Sequence, residues 1–365
     1  MNEELNLQLK PLRTRIDEID QQLIMLLNQR AQVAIEVGKI KKMYHAPVFR
    51  PERERQVIAR LQALSAAGLL SNRHIALIWR EIMAASRQLE KAQKAAYLGP
   101  EGTYSEQAML SYFGQSMIGL PCVSIDEVFR SVEAGAADFG VVPVENSTEG
   151  VVSRTLDLFR ETPLQISGEL SLLIQHYLLT HSGTLKEVTR VFAHAQALAQ
   201  CQNWLSTNAP LLERQEVSSN AEAARIAAAD HAVAAIASER ASTQYGLQIA
   251  CALIQDDPHN RTRFLIIGGE PPAATGHDKT SVILVVRNKP GAVFQMLEPL
   301  ARYGISVSCF ESRPARSSAW EYFFYIDFAG HQHDAAVTSV LAELERVATY
   351  VKILGSYPRI MPGGD

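Results

Sequence analysis

Residues 12 to 46, "LRTRIDEIDQQLIMLLNQRAQVAIEVGKIKKMYHA", run without a proline, and this stretch limits the fold more than any other. Leu9, Leu12, Ile16, Ile19, Leu23, Leu26 and Leu27 recur at helical spacing, and Val33, Val37 and Ile40 continue the pattern. The spacing predicts one helix far longer than globular domains commonly carry. His45-Ala46-Pro47 breaks it, and Pro51 suits the first turn of a second helix. Gly68 ends that helix, and Ser71 opens a third that runs through Trp79 to about Lys91. A long helix beside two shorter ones has a wide apolar stripe left to bury. Residues 1–93 are therefore expected to be all-α and to pair with a second copy.

The whole chain has 365 residues, enough for two or three domains. Lys+Arg 35 against Asp+Glu 39 leaves a net charge of −4, which disfavours nucleic acid as a partner but allows local anion sites. No apolar run approaches the roughly 20 residues of a membrane span. The acidic, polar N-terminus does not resemble a signal peptide, so a cytoplasmic location is expected. Cys122, Cys201, Cys251 and Cys309 are far apart and form no C-x-x-C pair. They read as buried, inert thiols in a reducing compartment, with no structural zinc.

From about Ala95 to residue 271 strands and helices alternate. "AAYLGPEGTYSEQ" reads as strand, glycine loop and helix start. Ser124 and Glu127 form a capping box, and the run after them ends in a strand from Phe139 to Val142. Thr184/Glu187 and Ser219/Glu222 read as two further boxes, each opening a helix. This texture implies α/β architecture with ligands outside the carboxyl ends of the strands. In "DDPHNRTRFLIIGG", polar residues lead into the short apolar strand Phe264–Ile267. An extended backbone there turns Thr262 to one side and its arginine neighbours to the other.

"EPPAATGHDK" reads as a linker, and residues 278–365 follow the order β-α-β-β-α-β of a ferredoxin-like module. Its elements are "TSVILVV", the helix in "KPGAVFQMLEPLARYG", "ISVSCFESRP", the aromatic strand "WEYFFYIDF", a helix near Asp334–Leu344 and "VKILGSYPR".

On the first helix Arg30 and Lys41 share a face, with about 16 Å between their Cα atoms, so both could grip one small anionic substrate. Arg13 lies about 25 Å from Arg30 and is rotated by about 100°, out of reach of that ligand within one chain. Ser86 and Glu90 share a face of the third helix. These residues, with "FRPERERQV", closely resemble the all-helical, intertwined chorismate mutase domains. The resemblance implies that Arg13, crossing from a second subunit, and Arg30 bind the two substrate carboxylates. It implies Lys41 at the ether oxygen, Arg53 and Glu54 as further ligands with Glu54 taking the substrate hydroxyl, and Ser86 and Glu90 on the third helix. Where some members have glutamine this chain has Glu90, which must be protonated to donate to the ether oxygen. The role of Arg50 is open.

"GPEGTYSEQA", "VVPVENSTEG", "AHAQALAQC" and "NRTRFLIIG" together resemble prephenate dehydratase, a two-lobed α/β domain similar to periplasmic ligand-binding proteins. The resemblance implies Thr262 as the catalytic hydroxyl and Asn146 and Gln200 as cleft residues. Ala193 stands where some relatives have serine, which leaves any donor role there to a water, Thr103 or Ser105. Arg263 is expected to be a structural or lobe-bridging cation. His176, His181, His194 and His259 lack metal-ligand spacing and read as surface or packed histidines. The module at 278–365 resembles an ACT domain through "NKPGAVFQML" and "ESRP". That implies an L-phenylalanine site between paired small domains, at Gly291, Ala292 and Val293 and at Glu311 and Ser312.

The chain as a whole thus resembles a bifunctional chorismate mutase/prephenate dehydratase with a C-terminal ACT domain. That resemblance implies chorismate and prephenate as substrates, L-phenylalanine as effector, a homodimer or higher homo-oligomer, and no metal or cofactor. The competing reading is a small-ligand sensor with a helical dimerisation domain.

Overall fold

A computed structural model describes residues 3–287, 289–314 and 322–360, and the chain divides into two units. The described residues of Met1–Gln93, with Phe113–Met117, form the first; the rest form the second. Trp320 and Glu321 of the expected aromatic strand, and Asn288 of the glycine-loop motif, lie outside the described residues.

The first unit is helical, as its periodicity predicts. α1 spans Glu3–Met43, α2 Pro51–Leu64 and α3 Asn72–Glu90. α1 starts earlier than expected and runs through Pro11. Ser71 caps α3 by accepting from the His74 N–H. The apolar stripe of α1 stays uncovered within the chain: Leu12, Ile16, Ile19, Leu23 and Leu26 are all exposed. α1 comes closest to α3 at Gly38, its one buried residue. A Cβ there would stand 2.9 Å from Glu90 Cα, so only glycine lets the two helices meet at this point.

The second unit opens with lobe one. Its elements are β1 (Lys94–Leu98), α4 (Tyr104–Phe113, whose last residue clusters with the helical unit), β2 (Ile118–Cys122), α5 (Ile125–Glu133), β3 (Phe139–Asn146), β4 (Gly150–Val151), α6 (Ser153–Glu161) and β5 (Ile166–Leu173). Lobe two follows with β6 (Tyr177–Thr180), β7 (Arg190–Ala193), α7 (Ala195–Gln200), α8 (Gln202–Asn208) and β8 (Glu213–Glu216). It ends with α9 (Asn220–Ala229), β9 (Val233–Ala237), α10 (Glu239–Tyr245) and β10 (Gln248–Cys251). The chain then returns to lobe one through β11 (Arg261–Gly268). β11 inserts between β3 and β5, antiparallel to both, giving the sheet order β2-β1-β3-β11-β5 with β4 beside β3. Lobe two has the order β10-β6-β9-β7-β8.

Ser124 and Ser219 cap α5 and α9 as their boxes predict. The Thr184/Glu187 box opens no helix: Leu185–Val188 make a turn, and β7 begins at Arg190. Too few residues separate the cap from the strand, and Val188 and Thr189 are β-branched, which disfavours propagation.

The small module contains β12 (Asp278–Val286), α11 (Ala292–Arg302), β13 (Val307–Pro314), β14 (Tyr322–Ala329), α12 (Ala335–Val347) and β15 (Tyr350–Pro358). Its antiparallel sheet has the order β13-β14-β12-β15. One face packs on α11 and α12 through Val282, Leu284, Met296, Phe328 and Val340. The other shares a core with lobe one, where Ile283, Tyr325, Leu354 and Tyr357 meet Phe159, Ile166 and Leu265. Burial on both faces explains why "TSVILVV" is a continuous apolar run and does not alternate.

Candidate active sites

In the helical unit the close approach at Gly38 sets α3 beside the cations of α1. Lys41 Nζ bonds Glu90 Oε2 at 2.8 Å and the Val48 carbonyl at 3.0 Å. Arg30 Nη1 donates to Ser86 Oγ, which itself donates to the Ile82 carbonyl at 2.8 Å. Glu54 joins the group from α2. Burial pushes its carboxyl above the usual range, against the opposing pull of Arg87, Lys41 and Arg30. Arg30, Lys41, Glu54, Ser86 and Glu90 therefore converge. Arg53 is exposed on α2, and Arg13 is exposed far along α1. Arg50 ion-pairs with Glu52 at 3.2 Å.

One residue of this cluster escaped the sequence reading. Arg87, buried on α3, donates to Glu54 Oε1 and to the Phe113 carbonyl, and its guanidinium lies 4.7 Å from the Phe49 ring centre. No spacing rule reaches it, because α3 turns Arg87 towards α2 and its neighbour Ser86 towards α1.

The second polar constellation lies where the chain crosses between the lobes. Thr262, on the first turn of β11 into the sheet, pairs in register with Asn146 at the carboxyl end of β3. Asn146 Nδ2 bonds Thr262 Oγ1 at 2.9 Å and Asn260 Oδ1 at 2.9 Å. Asn146 Oδ1 accepts from the Thr148 and Glu149 N–H groups, both at 3.0 Å, which fixes the amide. Because Thr262 Oγ1 accepts here, its own proton is free to be given to a ligand. Asn260 is a second residue that the sequence reading missed: buried, it also gathers Ser147 and Thr148 hydroxyls at 3.3 Å. Its place within "NRTRFLIIG" was the available signal.

Gln200 ends α7, and its Oε1 stands 2.8 Å from His176 Nε2. His176 Nδ1 lies 2.9 Å from Tyr104 OH, which donates to the Gln175 carbonyl at 2.7 Å. Gln200 Nε2 is buried without a partner. Burial holds the His176 imidazole below its ordinary pKa despite the Gln200 contact, so it is neutral near pH 7. Thr103 donates to the Leu98 carbonyl at 3.0 Å and accepts from the Glu106 N–H, which commits its hydroxyl to the start of α4. Ser105 is buried in the same turn. Glu106 bonds Arg240 of lobe two at 2.7 Å and tethers the lobes; burial would raise its pKa, but Arg240 and the Gly102 N–H lower it overall.

Arg263 faces away from Thr262 and bridges to the small module. Its Nε bonds Glu169 at 2.9 Å, and its Nη2 bonds Asp327 at 2.5 Å and Tyr357 OH at 3.2 Å. Of the other histidines, His194 caps α7 and His181 stacks on His231. No group of three His, Cys, Asp or Glu residues among the described residues could hold a metal. Cys122 and Cys201 are buried, whereas Cys251 and Cys309 are only half-buried, contrary to expectation. Burial nonetheless raises all four thiols, Cys201 and Cys309 to about 12, and so keeps them unreactive.

In the small module Gly291 has φ +80°, a left-handed turn into α11, with open space around it. Val286, where β12 leads into this turn, pairs with Tyr322, which pairs with Pro314 at the end of β13. The glycine turn and the E-S-R-P run therefore lie at one end of the sheet, two strand spacings or about 10 Å apart. Ala292 is buried, Val293 and Ser312 are exposed and Glu311 is half-buried. β13 is an edge strand, open to pairing with another sheet.

Three family models match the chain: chorismate mutase type II over residues 12–91, prephenate dehydratase over 95–272 and ACT domain over 280–346. The chain is 47% identical over 358 residues to the bifunctional chorismate mutase/prephenate dehydratase of Pseudomonas aeruginosa, covering 96% of this chain and 98% of that protein. It is 42% identical over 357 residues to the protein of the same name from Aquifex aeolicus, covering 97% and 99%. Among solved structures, the prephenate dehydratase of Arthrobacter aurescens in complex with L-Phe is 34% identical with a TM-score of 0.68. That match covers 73% of this chain and 90% of the other.

Proposed function

The chain belongs to the bifunctional chorismate mutase/prephenate dehydratases, and from that we propose that it performs both reactions under feedback inhibition by L-phenylalanine. In this reading residues 1–93 rearrange chorismate to prephenate, residues 95–271 convert prephenate to phenylpyruvate, and residues 278–365 sense phenylalanine.

The rearrangement needs no nucleophile and no proton transfer. The protein folds the substrate into a compact chair and stabilises charge building on the ether oxygen. Arg30 takes one carboxylate, and Arg13 of a second copy takes the other. Lys41 and Glu90 face the ether oxygen, Glu54 accepts the substrate hydroxyl, and Ser86 and Arg53 complete the site. The uncovered stripe of α1 supports a homodimer or larger homo-oligomer, in which a second helix buries it.

In the dehydratase the ring carboxylate leaves as carbon dioxide and its bonding electrons enter the ring, which expels the hydroxyl. Thr262 donates to that departing oxygen, which leaves as water once it takes a proton, and aromatisation supplies most of the driving force. Asn146 and Gln200 hold the substrate, with Thr103 and Ser105 beside them. The contact that carries this reading is Asn146 Nδ2 to Thr262 Oγ1, which turns the threonine proton outward. A ligand sensor would need neither that free donor nor a second cationic site. Phenylalanine binds at Gly291, Ala292, Val293, Glu311 and Ser312, between small modules paired along β13. The enzyme works in the cytoplasm without metal or organic cofactor.

Adding chorismate to the purified chain should give phenylpyruvate absorbance without acidification, and millimolar L-phenylalanine should suppress it. Absence of phenylpyruvate when prephenate itself is supplied would refute the reading.

A further inference from the structure

We propose that Arg263 is a positioning residue for the dehydratase, the point at which the state of the small module reaches Thr262. The inference rests on Thr262 being the reacting hydroxyl.

Thr262 and Arg263 are consecutive on β11 and serve opposite faces of it. Thr262 bonds Asn146 in the cleft, while Arg263 bonds Asp327 of β14 and Tyr357 of β15. The guanidinium sits in a cluster of two cations and three carboxylates. Glu169 receives both Arg263, at 2.9 Å, and Lys279 of β12, at 2.8 Å. Ser281 donates to Asp327 at 2.5 Å and stands 2.7 Å from Tyr357 OH. Glu145 approaches Arg263 at 3.8 Å from β3. Burial works against the Arg263 charge, but Tyr357, Asp327 and Glu169 outweigh it and raise its pKa further, so the cation is permanent. Two strands of the small module, β14 and β15, thus grip one side chain of lobe one, and Ser281 of β12 braces both gripping residues.

Two features turn this grip into a lever. The β11–β3 register shifts between Arg263 and Phe264, so on that edge residues 261–263 pair out of step with the rest of the strand, and β5 alone carries an unbroken register across the point. On the other side, Asp327 pairs with Cys309, two residues before Glu311 on β13. A ligand that shifts β13 against β14 moves Asp327, and Asp327 pulls the residue next to Thr262. Two further polar ties between module and lobe reach α6 instead. Arg313 bonds Ser153 and Asp157, and Lys352 donates to the Phe159 carbonyl at 2.8 Å. They dock the module without touching β11.

The test uses the full-length chain and measures prephenate turnover with and without saturating L-phenylalanine, alongside phenylalanine binding by calorimetry. Asp327→Asn should lower the ratio of uninhibited to inhibited rate by about fivefold or more while phenylalanine still binds. Ser281→Ala, which leaves every charge in place, should lower it in the same direction and serves if Asp327→Asn fails to fold. Arg263→Lys, which cannot reproduce the fork, should lower kcat by about tenfold to a hundredfold with KM unchanged. Lys352→Met, a docking variant, should keep the wild-type ratio. Full inhibition in both Asp327→Asn and Ser281→Ala would overturn the proposal. So would a raised KM with unchanged kcat in Arg263→Lys, or an equal loss of inhibition in Lys352→Met. Wild-type turnover and inhibition, run in parallel, test the functional reading itself and separate its failure from that of the lever.

Discussion

Replacing Gly38 by alanine adds one methyl group where α1 meets α3. That carbon would lie 2.9 Å from Glu90 Cα, 3.0 Å from Glu90 Cβ and 3.2 Å from the Glu90 carbonyl oxygen. Carbon pairs rest near 3.5–4.0 Å, so the helices must separate by about 0.6–1.1 Å. Such overpacking costs about 1–3 kcal/mol. A mid-helix glycine replaced by alanine returns about 1 kcal/mol, so the net loss of stability is about 0–2 kcal/mol. The activity should fall much further than the stability. The residue pushed away is the one that holds Lys41 at 2.8 Å, and misplacement of a site by about 1 Å can cost a hundredfold in rate. The assay follows chorismate loss for the mutase and gives prephenate directly to the dehydratase. Mutase kcat should drop about a hundredfold in Gly38→Ala while dehydratase kcat holds. A mutase kcat within a factor of about two of wild type would mean that the Gly38 contact does not set the site.

Three further outcomes are expected. Thr262→Ser should keep substantial dehydratase activity, whereas Thr262→Val should lose about 10²–10³ in kcat; a fully active Thr262→Val enzyme would remove the hydroxyl from the mechanism. Glu90→Ala, which leaves Lys41 without its 2.8 Å partner, should lower mutase kcat by about 10²-fold while dehydratase kcat holds; an unchanged mutase kcat would count against Glu90. His176 has a folded-state pKa below its ordinary 6.5, so the neutral ring adds stability that is present above pH 6.5. Chemical denaturation between pH 7 and 5 should show that stability being lost as pH falls towards the folded-state pKa. His176→Gln should weaken this pH dependence, and an equally steep dependence in the variant would point to other groups.

Periodicity and caps carried most of the architecture. The three helices, the α/β alternation and the β-α-β-β-α-β order were legible because each rests on local patterns that tertiary packing left intact. The false helix at Thr184 shows where that logic ends, since a cap starts a helix only when enough chain follows before the next strand. Candidate site residues were legible where they fall in contiguous motifs, as Thr262, Asn146 and Gln200 do. The residues that hold them were not. Arg87, His176 and Asn260 act through partners 33, 24 and 114 positions away, and no local signal encodes such pairings. Strand alternation was enough to send Arg263 away from Thr262. Its destination in the small module depends on how two sheets share a core, which only the fold reveals.

The place of β11 bears on how the protein is made. Every strand of lobe two lies between Tyr177 and Cys251, so that sheet can close as soon as those residues leave the ribosome. Lobe one begins earlier but finishes later: β3 and β5 have no strand between them until Arg261–Gly268 arrives. The order of completion therefore inverts the order of synthesis, and for an interval β3 and β5 expose unpaired edges that invite misassociation. The strand that closes this gap also brings Thr262. A chain cut short before it has neither a finished lobe one nor Thr262, although the helical unit that precedes both lobes is already complete.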